Sequence, residues 1–307
     1  MGQKDSKQFN SEYCQIAQDA FSCIGNNKFD YLAFIFPWLG ENILGPFVKV
    51  TGKLRGDPFH ILIQEIYKAV IKRKEDKLKK KGREKDENNE NLNKQQVDFI
   101  DLFLESEAEN NAVEFKTNNG IYNKKEKFER CNTLDEIVLN CFVFLLAGFD
   151  TTANTLSLIS HNLVIYPDVQ KRLFEEICGL EEREIPSYEQ LSKLKYADAV
   201  IKETLRLCPI ANEDTKLWGG DAEKFKPERW LNTQENNIPN TAFYPFGGGP
   251  RICIGMRLAM MEIKMVLVQL LRTFVLEKCF ETKVKINLTG QAVLNSGQIT
   301  VKLKLRE

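Results

Sequence analysis

Histidine is scarce in this chain of 307 residues: His60 and His161 are the only two. That scarcity constrains any reaction needing an imidazole base. The eight cysteines, at 14, 23, 131, 141, 178, 208, 253 and 279, form no C-x-x-C pair. A zinc site is therefore not expected, and the spacing is not that of a disulfide framework. The scatter predicts a reducing compartment. A charge surplus is also missing: Lys+Arg and Asp+Glu both total 43, so no nucleic-acid partner is expected. The start, MGQKDSKQFNSEYCQ, is polar and reads as neither a signal peptide nor a membrane span. MGQKDS fits the loose myristoylation pattern, and Asn287-Leu288-Thr289 is a formal glycosylation sequon. Both patterns are short enough to arise by chance.

What is present is apolar helix-forming sequence. Hydrophobic residues make up 43%, enough for a sizeable core in one large domain or two ordinary ones. An apolar insert at 29–47, FDYLAFIFPWLGENILGPF, is broken by Pro37, Gly40, Gly45 and Pro46, so it cannot span a bilayer as one helix. It reads either as a buried connection or as a surface loop that dips into a membrane or roofs a pocket. Residues 72–96 are almost wholly charged or amide, a solvated helix end followed by a flexible connection. Thr133 and Glu136 form a capping box, and a helix should run from there to Ile165, closed by Pro167. Its centre, Cys141 to Gly148, is apolar all round and predicts burial; the polar break at Asp150 argues against a transmembrane helix. Further helices are expected over Pro167–Cys178, Tyr196–Leu207 and the stretch after Gly255. Ile299–Leu305 alternates as a half-exposed strand. The fold class is mainly α with a minor β part.

FGGGPRICIG, Phe246 to Gly255, carries the chemistry. Its three glycines permit close backbone approach, and Pro250 stiffens the turn. Cys253 falls just before a helix start, where unpaired amides and the dipole favour an anion, hence thiolate over thiol. A thiolate in a rigid loop is a nucleophile or a metal ligand. The nucleophile lacks a histidine context. An inert buried cysteine is the commonest role for a lone cysteine, but it leaves the Gly-Gly-Gly-Pro-Arg setting unexplained. AGFDTT, Ala147 to Thr152, puts a glycine, an acid and hydroxyls inside an apolar helix. A helical hydroxyl can bond an upstream carbonyl, whereas a buried aspartate is costly without a purpose. ETLR places Glu203 and Arg206 three apart on one helix face; alone, this reads as a surface ion pair.

In this order, with PERW downstream, the stretches resemble the cytochromes P450 over nearly the whole chain, most closely the microsomal drug- and steroid-oxidising branch. The resemblance implies one partial P450 domain over 1–307, with 72–96 as a connection within it. Cys253 would be the proximal ligand of haem b, iron protoporphyrin IX. Arg251 would pair with a propionate, Phe246 would pack near the sulfur, and Gly247, Gly255, Ala147 and Gly148 would let the porphyrin approach. Asp150 and Thr151 would relay protons to dioxygen. Glu203, Arg206 and Arg229 would form a buried salt-bridge network. Leu146, Ala147, Ile210 and Ala211 would face a lipophilic substrate. The implied activity is insertion of one oxygen atom from O2, with electrons from NADPH-cytochrome P450 reductase. That partner would meet a cationic face of Arg251, Arg257 and Lys264. The implied location is the cytosolic face of the endoplasmic reticulum, with 29–47 resting on the membrane.

Two departures from the family pattern set a second reading beside the first. The family's membrane anchor, first strands and propionate-gripping helix have no counterpart before the middle helices, and Ile210–Gly220 is too short for the strands expected there. The alternative is a non-catalytic remnant that binds haem weakly or not at all. A cysteine hydrolase is a third reading, undermined by the histidine scarcity.

Overall fold

The computed structural model describes residues 16, 19, 36–45, 47, 58–84, 98–108, 132–181, 185–208, 218, 220–231, 242–286, 288 and 296–306. Two compact units divide the chain, Met1–Ala147 and Gly148–Glu307. Both are built mainly from helices, with a single two-stranded sheet among the described residues. This is the predicted fold class.

The first unit contains α1 (Pro58–Glu84), α2 (Phe99–Ala108) and the opening turns of α3 (Leu134–Ile165). Leu62, Ile66 and Val70 fall on one face of α1 and are buried with Leu104 of α2 and Ile137 and Val138 of α3. That four-residue spacing is what makes a helical stripe. The Oδ1 of Asp98 accepts the Asp101 N–H at 2.9 Å and so caps α2. The buried Asp101 carboxylate lies 3.1 Å from Lys77 Nζ and 3.6 Å from Arg73 Nη1. Burial pushes this carboxyl up, but the Lys77 and Asp98 hydrogen bonds and the two cations outweigh it and hold it below its ordinary range. The expected capping box opens α3: Thr133 N–H donates to Glu136 Oε2 at 2.8 Å, and Glu136 N–H donates to Thr133 Oγ1 at 3.3 Å.

Three expectations need correction or sharpening in this unit. Residues 72–84 continue α1 as helix, while 85–96 lie outside the described residues. The centre of α3 is not buried all round: Cys141, Phe142 and Leu146 pack on the first unit's core, but Val143 is 57% and Leu145 40% exposed, and Ala147 and Gly148 are exposed as well. Apolar composition reports a preference for leaving water, not whether the fold supplies a cover. In the insert, Pro37–Leu39 forms one helical turn that continues as a π turn over Gly40–Leu44. Phe36, Trp38, Ile43 and Phe47 are exposed, which disfavours the buried-connection reading; residues 29–35 lie outside the described set.

In the second unit, α3 continues to Ile165, followed by α4 (Pro167–Cys178), α5 (Tyr188–Lys193), α6 (Lys195–Leu207) and α7 (Met256–Thr273). α3 is long and apolar enough to cross a bilayer, and only 11% of its apolar window is buried; its C-terminal part is anchored by Leu158, Ile159, Leu163 and Val164, which are buried in this unit's protein core. Around them pack Leu173 and Ile177 of α4, Val200, Ile201 and Leu205 of α6, and Ile263, Leu267, Val268 and Leu271 of α7. α6 is buried along most of its length. No side chain of its own caps α6; the Glu176 carboxylate of α4 does so instead, accepting the N–H groups of Tyr196 at 2.7 Å and Ala197 at 2.9 Å. Those amides are orphans of the first turn, and an anion there also suits the helix dipole.

Strand β1 (Phe274–Glu277) continues directly from α7 and pairs antiparallel with β2 (Lys302–Leu305), Phe274 opposite Leu305. The strand is shorter than the expected Ile299–Leu305, and all four of its residues are exposed. Gln170 of α4 fastens β1 to the core. Its Nε2 donates to Leu163 O and Leu276 O, both at 3.0 Å, and its Oε1 accepts the Leu276 N–H at 2.8 Å.

Candidate functional site

The loop before α7 is built by backbone. Gly247 and Gly249 take φ of 72° and 67°, the left-handed region where a side chain is strained. At Gly248 a Cβ would come within 3.0 Å of the Tyr244 ring. Gly249–Arg251 forms a 3-10 turn with Pro250 at its start. The Gly247 N–H donates to Tyr244 O at 3.0 Å, and the Cys253 N–H donates to Phe246 O at 2.9 Å. Phe246 is half-buried and packs on the core of the second unit. The cysteine backbone is thereby tied to an anchored aromatic residue, and α7 starts at Met256.

The side chains on this loop face outward. Cys253, Arg251 and Gly249 are exposed, and the residues flanking the sulfur leave apolar surface uncovered: Ile252 is 48% and Ile254 84% exposed. A Cβ at Gly255 would lie 3.9 Å from Cys253 Sγ, and one at Gly249 would meet nothing within 4 Å. Among the described residues no cluster of three His, Cys, Asp or Glu could hold a metal ion, so any metal here would rely on the single sulfur. A soft sulfur presented from a rigid loop, with open backbone and uncovered isoleucines beside it, suits a flat apolar group carrying iron. The residues present fit haem.

On α3 the Ala147–Thr152 stretch keeps its helix. Ala147 and Gly148 are exposed, and a Cβ at Gly148 would meet nothing within 4 Å. Asp150 and Thr151 are half-buried. Burial pushes the Asp150 carboxyl up, so it holds its proton to a higher pH than a solvated aspartate. Thr151 O accepts the Thr155 hydroxyl at 2.8 Å, a back-bond of the kind helices tolerate. Leu146 packs against the core of the first unit. Ile210 and Ala211 lie outside the described residues.

Glu203, Arg206 and Arg229 converge in the interior. The Glu203 and Arg206 side chains are fully buried and that of Arg229 is 7% exposed. Glu203 Oε2 accepts Arg206 Nε at 2.9 Å, and Oε1 accepts Arg206 Nη2 at 2.9 Å and Arg229 Nε at 2.8 Å. Arg206 also donates to Ala222 O at 2.6 Å and Lys224 O at 3.1 Å. Buried guanidinium and carboxylate groups persist only when so satisfied.

Sequence reasoning missed four members of this assembly. Trp230 Nε1 donates to Glu203 Oε2 at 2.9 Å. Asp221 Oδ1 lies 3.2 Å from Arg229 Nη1, and that hydrogen bond, ahead of opposing burial, holds the Asp221 carboxyl below its usual range. The Arg206 guanidinium stacks 5.0 Å from the Trp218 ring centroid. Phe243 packs on Trp230 with centroids 4.5 Å apart, three residues before Phe246, so the network supports the strand of chain entering the cysteine loop. The tryptophan of PERW was the available signal, since a buried indole seeks an acceptor. Lys264 is a correction. It does not belong to an exposed cationic face: it is buried, 2.8 Å from Asp198 Oδ1 and donating to Leu191 O at 3.0 Å.

The model of the family described as Cytochrome P450 matches residues 51–215 and 211–303. A protein of Caenorhabditis elegans assigned as cytochrome P450 CYP13A3 is 38% identical over 344 aligned positions, covering 100% of this chain and 64% of the relative. Two others from the same organism, assigned as cytochromes P450 CYP13A7 and CYP13A4, are 35% and 34% identical with the same coverage. The chain thus spans 64% of the length of these relatives.

Proposed function

Because the chain belongs to the cytochrome P450 family, we propose that it carries haem-thiolate monooxygenase chemistry, with 1–307 belonging to one P450 domain. The reading is carried by the Cys253 loop, which holds one exposed thiol on a fixed backbone with apolar surface around it. Bound there, haem b supplies oxygen activation, and a thiolate ligand favours O–O cleavage.

The chain's own residues support that chemistry. Cys253 presents sulfur, and Arg251, exposed beside it, offers its fork to a carboxylate. Gly247 and Gly255 keep the backbone low next to the ligand. Asp150, its carboxyl raised by burial, holds a proton, and Thr151 provides a hydroxyl next to it. Leu139, Val143 and Ala147 form an uncovered stripe on α3, suited to a lipophilic substrate; Leu146 and, by the family resemblance alone, Ile210 and Ala211 are the other proposed substrate residues. NADPH-cytochrome P450 reductase is the proposed electron donor, meeting Arg251 and Arg257. The exposed Phe36, Trp38, Ile43 and Phe47 suit peripheral contact with the cytosolic face of the endoplasmic reticulum.

One observation favours the second reading, a non-catalytic form that binds haem weakly. The alignment with CYP13A3 occupies 344 positions over a chain of 307, so segments of the relative have no counterpart here. The two family matches overlap at 211–215, within the stretch that is too short for the expected strands. The visible spectrum of the chain reconstituted with haem, reduced and exposed to carbon monoxide, separates the two. The enzyme reading expects a strongly red-shifted Soret band that Cys253→Ala abolishes. No haem uptake, or a band that survives the substitution, would leave the non-catalytic reading.

A further inference from the structure

A cleft of about 460 Å³ opens in the second unit between α5, α6, the chain entering the cysteine loop and the first turns of α7. Cys253 and Arg251 are not among its lining residues. Its floor is apolar and adaptable: Met256, Met260 and Met261 are three of the chain's five methionines, and Phe243 and Phe246 lie beside them. Unbranched thioethers repack around varied apolar shapes. The volume falls within the range that holds a small molecule.

The charge at this cleft is one-sided. Its one carboxylate, Asp198, is paired with Lys264 at 2.8 Å. Lys202 and Arg257 also line it, and neither has a carboxylate partner among the described residues. The Lys202 ammonium instead sits 5.9 Å from the Trp230 ring centroid, and Arg257 is exposed. An apolar floor beneath two uncompensated cations is complementary to a molecule with a hydrocarbon body and one anionic end.

We propose that this cleft binds a small amphiphilic carboxylate, its apolar body among Met256, Met260 and Met261 and its carboxylate between Lys202 and Arg257. The proposal goes beyond the monooxygenase reading and does not require bound haem. Such a ligand would touch Phe246 and Gly247 of the loop, whereas Cys253 does not line the cleft.

The test uses the full chain labelled with methyl-13C methionine and titrated with decanoate, with decanol as the neutral control. The methyl signals of Met256, Met260 and Met261, assigned by single Met→Leu variants, should shift and saturate, while those of Met1 and Met265 stay in place. Decanol should bind at least about tenfold more weakly, the equivalent of one charge-assisted contact. Lys202→Gln with Arg257→Gln should weaken decanoate to the decanol level, with the unperturbed methyl spectrum showing that the fold is kept. Equal affinity for decanol, an unaffected double variant, or shifts spread over all five methyls would overturn the proposal. Absence of any shift at saturating decanoate would do so as well.

Discussion

Glu203 does more than its two-residue motif announces. Beyond Arg206 and Arg229 it accepts the Lys226 N–H at 2.8 Å and the Trp230 indole at 2.9 Å. Replacing it by alanine strands two buried guanidinium groups, and breaking a buried ion pair from one side costs about 3–5 kcal/mol. Glu203→Ala should therefore lower the free energy of unfolding by about that much in a urea titration. A loss below about 1 kcal/mol would show that the interior is wetter than the geometry says. The glutamate and both arginines were legible from ETLR and PERW. Asp221 and Trp218 were not, because they reach the network through a turn whose path no periodicity reveals. Lys264 was misread for a related reason: a lysine in an apolar helix shows its charge in sequence but hides the Asp198 carboxylate that draws it inward.

Among the elements, the long helices were legible because caps and breakers bracket them. The Thr133–Glu136 box and Pro167 bound α3, and Pro167 opens α4 at its first position. α5 was overlooked although its own capping box is present: Ser187 Oγ accepts the Gln190 N–H at 3.3 Å, and Gln190 Oε1 accepts the Ser187 N–H at 2.9 Å. Six residues are too few for a convincing apolar period. β1 was missed because it follows α7 without a turn residue; what defines it is Gln170, far off in sequence. Gln170→Leu would leave the Leu276 N–H and carbonyl and the Leu163 carbonyl without that partner. Each orphaned buried group costs about 1–3 kcal/mol, so hydrogen exchange at Leu276 should quicken well beyond that at Leu271 of α7. Unchanged protection at Leu276 would show that strand pairing alone holds β1.

Across the whole molecule, acid sensitivity divides between opposing groups. Asp101 and Asp221 have carboxyls held below 3.8, so their contribution is full above that pH and is lost as pH falls through the lowered values. Asp150 works the other way. Burial raises it above 3.8, so its contribution is complete below 3.8 and is lost as pH rises through the raised value. Asp150→Asn should accordingly unfold at higher urea than the parent at neutral pH, with the gap closing as pH falls towards 3.8. A gap constant with pH would assign the effect to packing instead of charge. The overall class was readable because helical periodicity dominates the chain, whereas the uncovered centre of α3 was not, since cover depends on distant segments. The Gln170 bond to Leu276 spans 106 positions, and this gives it a place in time. On a chain made from its N-terminus, α4 emerges long before β1 exists. Until the ribosome has delivered Leu276 and that large loop closes, at its entropic cost, Gln170 has only its local partner, the Leu163 carbonyl. Strands β1 and β2, made after the helices, thus complete a core that those helices laid down.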